Sequence, residues 1–128
     1  MRMRRLVFLL LIGVGCWLLQ AEAVTRDDFL MQTTQDLVDV CSVKPGEPLY
    51  EAAVGFCHGY GVGAFHYYQA NAAASPQSSF VCVPEPTPPR ADIVQWFLAW
   101  ARDNSRYLNE RPVDGFFRFL EATWPCRR

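Results

Sequence analysis

Residues 52–84 of this 128-residue chain carry no charged side chain, no two of its five cysteines stand in C-x-x-C spacing, and no segment reads convincingly as a strand. Each absence excludes something. Without C-x-x-C pairs, a zinc site and a thioredoxin-like redox centre are both disfavoured. Without strands, the fold class is all-α. The uncharged stretch is nevertheless not read as a membrane span. The strongly apolar residues in its helical part are Val54, Phe56, Val62 and Phe65, and the interspersed His58, His66, Gln69 and Asn71 make insertion costly. Catalytic constellations are missing too: neither histidine lies in a nucleophile motif, and the carboxylates are scattered over helix starts and polar faces, which argues against an enzyme. No cofactor is expected. Gly59-Tyr60-Gly61-Val62-Gly63-Ala64 mimics a dinucleotide fingerprint, but helix rather than strand precedes it and no acidic residue follows about twenty positions later. His58 and His66 are eight apart with no carboxylate beside them, so they read as partly buried or surface histidines, not metal ligands.

What is present begins with an export signal at residues 1–23. Met1-Arg2-Met3-Arg4-Arg5 is a basic start, residues 6–19 are an apolar run, and Ala21-Glu22-Ala23 has the small-x-small pattern of a cleavage site. Gly13 stands where a lipoprotein signal expects a leucine-like residue, and Trp17-Leu18-Leu19 extend the apolar run past Cys16. A secreted product, residues 24–128, is therefore expected instead of a lipid anchor. Of 12 basic and 13 acidic residues, Arg2, Arg4, Arg5 and Glu22 leave with the signal, so the mature balance is a net −3 with no basic stripe. Nucleic acid is an unsuitable partner for such a surface.

The periodicity predicts four helices, at about 26–42, 49–74, 91–108 and 112–124. Thr25 with Asp28 three residues on suits the first helix start. Pro45-Gly46-Glu47-Pro48 separates the first two helices, Pro112 fits a first helical position, and Pro125 ends the last helix. The expected buried stripes are Ile93, Val94, Phe97, Leu98 and Ala101 in the third helix, and Val113, Phe116, Phe117, Leu120 and Trp124 in the fourth. The second helix reads as the central one. Its Gly55, Gly59 and Gly63 are four apart and fall along one stripe. Each glycine costs a helix up to ~1 kcal/mol relative to alanine, so the stripe predicts another backbone packed directly on it.

Four cysteines survive export: Cys41, Cys57, Cys82 and Cys126. An even count in a small exported chain implies two disulfides, and counting alone leaves three connectivities open. Short links favour antiparallel neighbours. That places Cys82 and Cys126 at adjoining helix ends, and Cys41, at the end of the first helix, within reach of Cys57. Cys41–Cys57 with Cys82–Cys126 is the preferred pairing. In the chain-entropy model, loops of these lengths contribute about 3 and about 4 kcal/mol.

Between the second and third helices, residues 75–89 form a long loop with Pro84, Pro86, Pro88 and Pro89. A flexible connector would not need Cys82, so the loop reads as anchored and functional. Gln77 and Ser78 at its tip are candidate partner contacts. Trp96 and Trp100, four apart on the third helix, either widen the core or belong to the same partner surface.

Asp36-Leu37-Val38 leads to Cys41-Ser42, followed by Cys57-His58-Gly59-Tyr60 with Gly63, then Phe80-Val81-Cys82-Val83-Pro84, Arg111-Pro112 and a terminal Trp124-Pro125-Cys126. This order resembles the Rap/Tai family of type VI secretion amidase-immunity proteins, over nearly the whole mature chain. The resemblance implies a small periplasmic helical protein that binds a secreted peptidoglycan amidase and blocks its catalytic cleft. Members are commonly dimers, so a homodimer is a candidate assembly. The runner-up is a periplasmic acid-stress chaperone, which should loosen and expose apolar surface at low pH. A small secreted enzyme with an unfamiliar site is a third class.

Overall fold

The computed structural model describes residues 23–127; the stretch read as an export signal, residues 1–23, lies outside them except for Ala23. Four α-helices make up the domain: α1 Thr34–Ser42, α2 Tyr50–Ala74, α3 Arg90–Asp103 and α4 Pro112–Thr123. Short 3-10 turns sit at Asp27–Leu30, Pro76–Ser78 and Ser105–Tyr107. The all-α, disulfide-braced fold is the one expected.

The first helix is shorter than its sequence pattern. Thr25 and Asp28 do bond, with the Thr25 N–H donating to Asp28 Oδ2 at 2.6 Å. They close only a 3-10 turn, which ends at Met31 in the left-handed region with φ 52°. The helix starts instead at Thr33, in a capping box with Asp36: the Asp36 N–H donates to Thr33 Oγ1, and Asp36 Oδ2 accepts the Thr33 N–H at 3.0 Å.

That nine-residue helix, not α2, is the hub, because α1 packs on α2, α3 and α4. It buries Thr34, Leu37 and Val40, three residues apart each time. Thr34 is completely enclosed. Its N–H donates to the Glu110 carbonyl at 2.7 Å, and its hydroxyl lies 3.1 Å from the carbonyls of both Glu110 and Arg111. The Gln35 N–H donates to the Leu108 carbonyl at 2.9 Å. The open amides at the start of α1 thus find acceptors in the turn before α4. A buried polar group with its bonds made is stable where it is.

The glycine stripe is the main correction to the sequence reading. A Cβ added at Gly55, Gly59 or Gly63 would meet nothing within 4 Å, and all three are exposed. Among the described residues no backbone packs there, because α2 turns Ala53 and Cys57 toward α1 instead. The close approach occurs at Gly115 of α4. A Cβ there would collide with Thr34 Oγ1, Cγ2 and Cβ, the last at 2.9 Å.

The third helix stops earlier than expected, at Asp103. The Asn104 side chain donates to the Trp100 carbonyl at 2.8 Å, and the chain breaks into a 3-10 turn. The fourth helix has its expected proline start, with Trp124 as its C-cap. Its buried set includes Phe119, which the sequence reading omitted, while Val113 is exposed. Leu37, Val81, Phe97, Phe116, Phe119 and Leu120 make the main core, and Val40, Ala53 and Cys57 make a second one between α1 and α2.

Both disulfides form as preferred, Cys41–Cys57 and Cys82–Cys126. The second sits in a two-rung ladder. The Cys82 N–H donates to the Trp124 carbonyl at 2.8 Å, the Cys126 N–H donates to the Phe80 carbonyl at 3.1 Å, and Val81 and Pro125 form an isolated antiparallel bridge.

Candidate interaction surface

The long loop leaves α2 at Ser75 and returns to the core at Phe80. Its re-entry is fixed by Tyr68, whose hydroxyl accepts the N–H groups of Phe80 and Val81 at 2.8 and 2.9 Å and lies 3.3 Å from the Val81 carbonyl. The Tyr68 ring also packs against Phe65, Phe80 and Phe117. The tip is therefore held from behind while its own residues face water. Gln77 and Ser78 lie in the exposed turn Pro76–Ser78, and the hydrogen bond from Ser78 Oγ to the Ser75 carbonyl, 2.6 Å, is local.

The two tryptophans part company. Trp96 is 43% exposed and rests edge-on against Trp124. Trp100 is half-buried, stacked on Tyr107 with rings 5.9 Å apart and nearly parallel, and it also touches Phe97 and Phe119. Trp96 remains on the surface; Trp100 belongs to the core's aromatic layer. Tyr107 in turn lies under the guanidinium groups of Arg106 and Arg118, at 4.7 and 4.4 Å.

A feature that the sequence reading missed lies on the inner side of α2. This helix is pinned near its start by the Cys41–Cys57 bond and near its end by Tyr68. Those anchors are eleven residues apart, roughly 16 Å along the axis. Between them Gly61 and Val62, set between the larger Tyr60 and Phe65, leave space toward α3. The result is a groove of about 290 Å³ floored by Leu37, Phe97, Phe116 and Leu120 and closed on one side by Val83, Thr87 and Pro88. His58, His66, Gln69 and Arg90 also line it. Its sequence signal was the uncharged stretch itself, where glycines and polar residues interrupt the apolar ones.

The charges nearby are few. Burial, and secondarily the Asp114 carboxylate, raise the Tyr60 phenol above its ordinary value. Asp114 is held by Arg111 at 2.8 Å, and Glu110 by Arg118 at 2.6 Å; both guanidinium groups are pushed up by these carboxylate bonds. Among the described residues, no group of three His, Cys, Asp or Glu side chains is placed to hold a metal ion, and no helix is long and apolar enough to cross a membrane.

These features define a class: a small all-helical domain with two disulfide braces, a tethered surface loop and an apolar groove. The family model for Rap1a immunity proteins matches residues 33–126. The chain belongs to that family. Comparison with curated proteins and with solved structures finds no match.

Proposed function

We propose that the mature domain, residues 24–128, is exported through a cleaved signal and acts in the periplasm as an immunity protein. It inhibits a secreted peptidoglycan amidase of the type VI system by occluding its active site. The role is one of binding, not catalysis. The observation that carries this reading is the loop of residues 75–89, anchored at its base by Tyr68 and by Cys82–Cys126, with Gln77 and Ser78 exposed at its tip. A loop ordered before binding loses less entropy on contact. Membership of an immunity family supports the same reading, and disulfides suit an oxidising compartment. Trp96 supplies an exposed aromatic on the adjoining helix, of the type enriched at interfaces.

The test is amidase activity titrated with the mature domain, using a panel of peptidoglycan amidases from the same organism. Saturable inhibition is expected. Substitutions at Gln77 and Ser78 should weaken it without shifting the melting temperature, because neither side chain touches the core. If no amidase is bound or inhibited, the immunity role fails. If inhibition survives replacement of residues 75–78 by a short glycine linker, the role stands and the loop is not the contact. Self-association belongs to the same proposal, and sedimentation of the mature domain measures it directly.

A further inference from the structure

The groove between α2 and α3 combines three properties. Its floor is apolar, built from Leu37, Phe97, Phe116 and Leu120. Its size, about 290 Å³, sits at the bottom of the range for small-molecule sites, roughly 300–1,000 Å³. Anchoring side chains of a protein partner seat themselves in well-packed pockets that exclude water. The groove's formal charge is one-sided: Arg90 lines it beside the polar His58, His66 and Gln69, and none of the lining residues is acidic. Arg90 has no ion-pair partner among the described residues, whereas Arg111 and Arg118 are each committed to a carboxylate. Asp114, near Tyr60, is already held by Arg111.

An apolar floor under an unneutralised cation selects an occupant with matching parts. We propose that this groove is a second contact for the effector, receiving an apolar side chain of a protein segment that carries a carboxylate beside it, with Arg90 as the carboxylate's partner. The proposal rests on the immunity reading above and adds to it the chemistry of the effector segment. The groove's wall at Val83, Thr87 and Pro88 is the far arm of the same loop whose tip carries Gln77 and Ser78, so the two contacts share one loop. Charge complementarity of this kind acts on specificity and association rate as well as on affinity.

The test is calorimetric titration of the mature domain against the amidase that it inhibits. Thr87→Trp places a large ring at the groove's rim. Arg90→Glu reverses the charge, Arg90→Gln removes it and Arg90→Lys keeps it. Both positions are exposed, so unchanged melting is expected of every variant. Thr87→Trp and Arg90→Glu should each weaken binding about tenfold or more, with Arg90→Gln intermediate and Arg90→Lys within a few-fold of the unaltered domain. The loss from Arg90→Glu should shrink at high salt, where charge effects are screened. Unaltered affinity in both Thr87→Trp and Arg90→Glu overturns the groove contact and leaves the immunity reading intact. Loss with Thr87→Trp but none with Arg90→Glu overturns the carboxylate, and with it the stated occupant. Failure of the unaltered domain to bind any amidase overturns the immunity reading and this proposal together.

Discussion

Gly115→Ala should be the most damaging single-methyl change in this domain. Helix propensity alone says the opposite, since alanine in a helix interior is worth up to ~1 kcal/mol over glycine. The site decides otherwise. The new Cβ would sit inside contact distance of three Thr34 atoms, and Thr34 is completely enclosed. Overpacking of this kind costs ~1–3 kcal/mol. Thr34 also cannot move aside freely, because its hydroxyl serves the carbonyls of Glu110 and Arg111. Leaving a buried polar group unpaired costs a further ~1–3 kcal/mol. Set against the propensity gain, a net loss of ~2–4 kcal/mol is expected. At about 4 °C or more per kcal/mol for a domain of this size, the melting temperature should fall by roughly 10 °C.

The companion change is Gly59→Ala, where the added methyl meets open space. There propensity acts unopposed, and a gain of up to ~1 kcal/mol is expected. Thermal melts of the two oxidised variants beside the unaltered domain make the comparison. A Gly115→Ala melt at or above the unaltered value would refute the claim that α1 and α4 touch through Thr34. A large loss from Gly59→Ala would show that the exposed face of α2 is covered after all.

Three further outcomes are expected. Tyr68→Phe removes the acceptor for two backbone N–H groups; amide exchange at Phe80 and Val81 should accelerate while α1 amides keep their protection, and unchanged exchange at both would show that the hydroxyl does not hold the loop. The raised Tyr60 phenol means that the neutral form is favoured in the fold; the unfolded chain ionises first, near pH 10, so stability from this group is fully present below that value and is lost as pH rises from there through the higher pKa of the folded phenol. Tyr60→Phe should therefore lessen the alkaline fall in stability, and an identical fall in both proteins would sink the argument. Non-reducing mass spectrometry of the exported protein should find Cys41–Cys57 and Cys82–Cys126, and free thiols at all four positions would refute the oxidised framework.

The number of helices, the loop's extent and both disulfides were legible in the chain, because periodicity, prolines and short links act locally or nearly so. Two of the errors share one cause: local patterns that occur twice. Thr25 with Asp28 and Thr33 with Asp36 offer the same Thr-x-x-Asp spacing. The second pair caps the helix because the amides that follow it reach the carbonyls of Leu108 and Glu110, about 75 positions away. No local rule contains that contact. Small residues likewise occur on two faces of α2. Gly55, Gly59 and Gly63 form the more regular row, yet Ala53 and Cys57 are the buried pair, because the bond to Cys41 sets the helix's rotation. Gly115, followed by Phe116 and Phe117 in an amphipathic helix, was the glycine whose cost called for an explanation. Its partner Thr34 recurs at helical spacing with Leu37 and Cys41, which places it on the inner stripe of the first helix, but no local rule names Gly115 as what it meets.

The groove follows from the same arrangement. A 25-residue helix is about 37 Å long, and the 9-residue hub beneath it about 14 Å, so α1 can support only part of α2. The remainder rests on the main core through Tyr60, Ala64, Phe65 and Tyr68, and the Tyr68 hydroxyl ties it to the re-entering loop. Tyr60 and Phe65 line the groove, but Gly61 and Val62 between them leave it unfilled, and an added Cβ at Gly61 would lie 3.4 Å from the Phe116 ring. The groove is thus bounded by the Cys41–Cys57 bond, whose residues line it, while the Tyr68 hydroxyl fixes α2 farther along. Its walls need no partner to set their spacing, and a pocket already open when a ligand arrives loses less free energy to ordering than one that must form. The loop wall is braced in the same way, between Tyr68 behind it and Cys82–Cys126 beneath it. Stability and recognition therefore draw on the same two disulfides: the bonds that hold a domain of this size together also set the shape of the surface it presents.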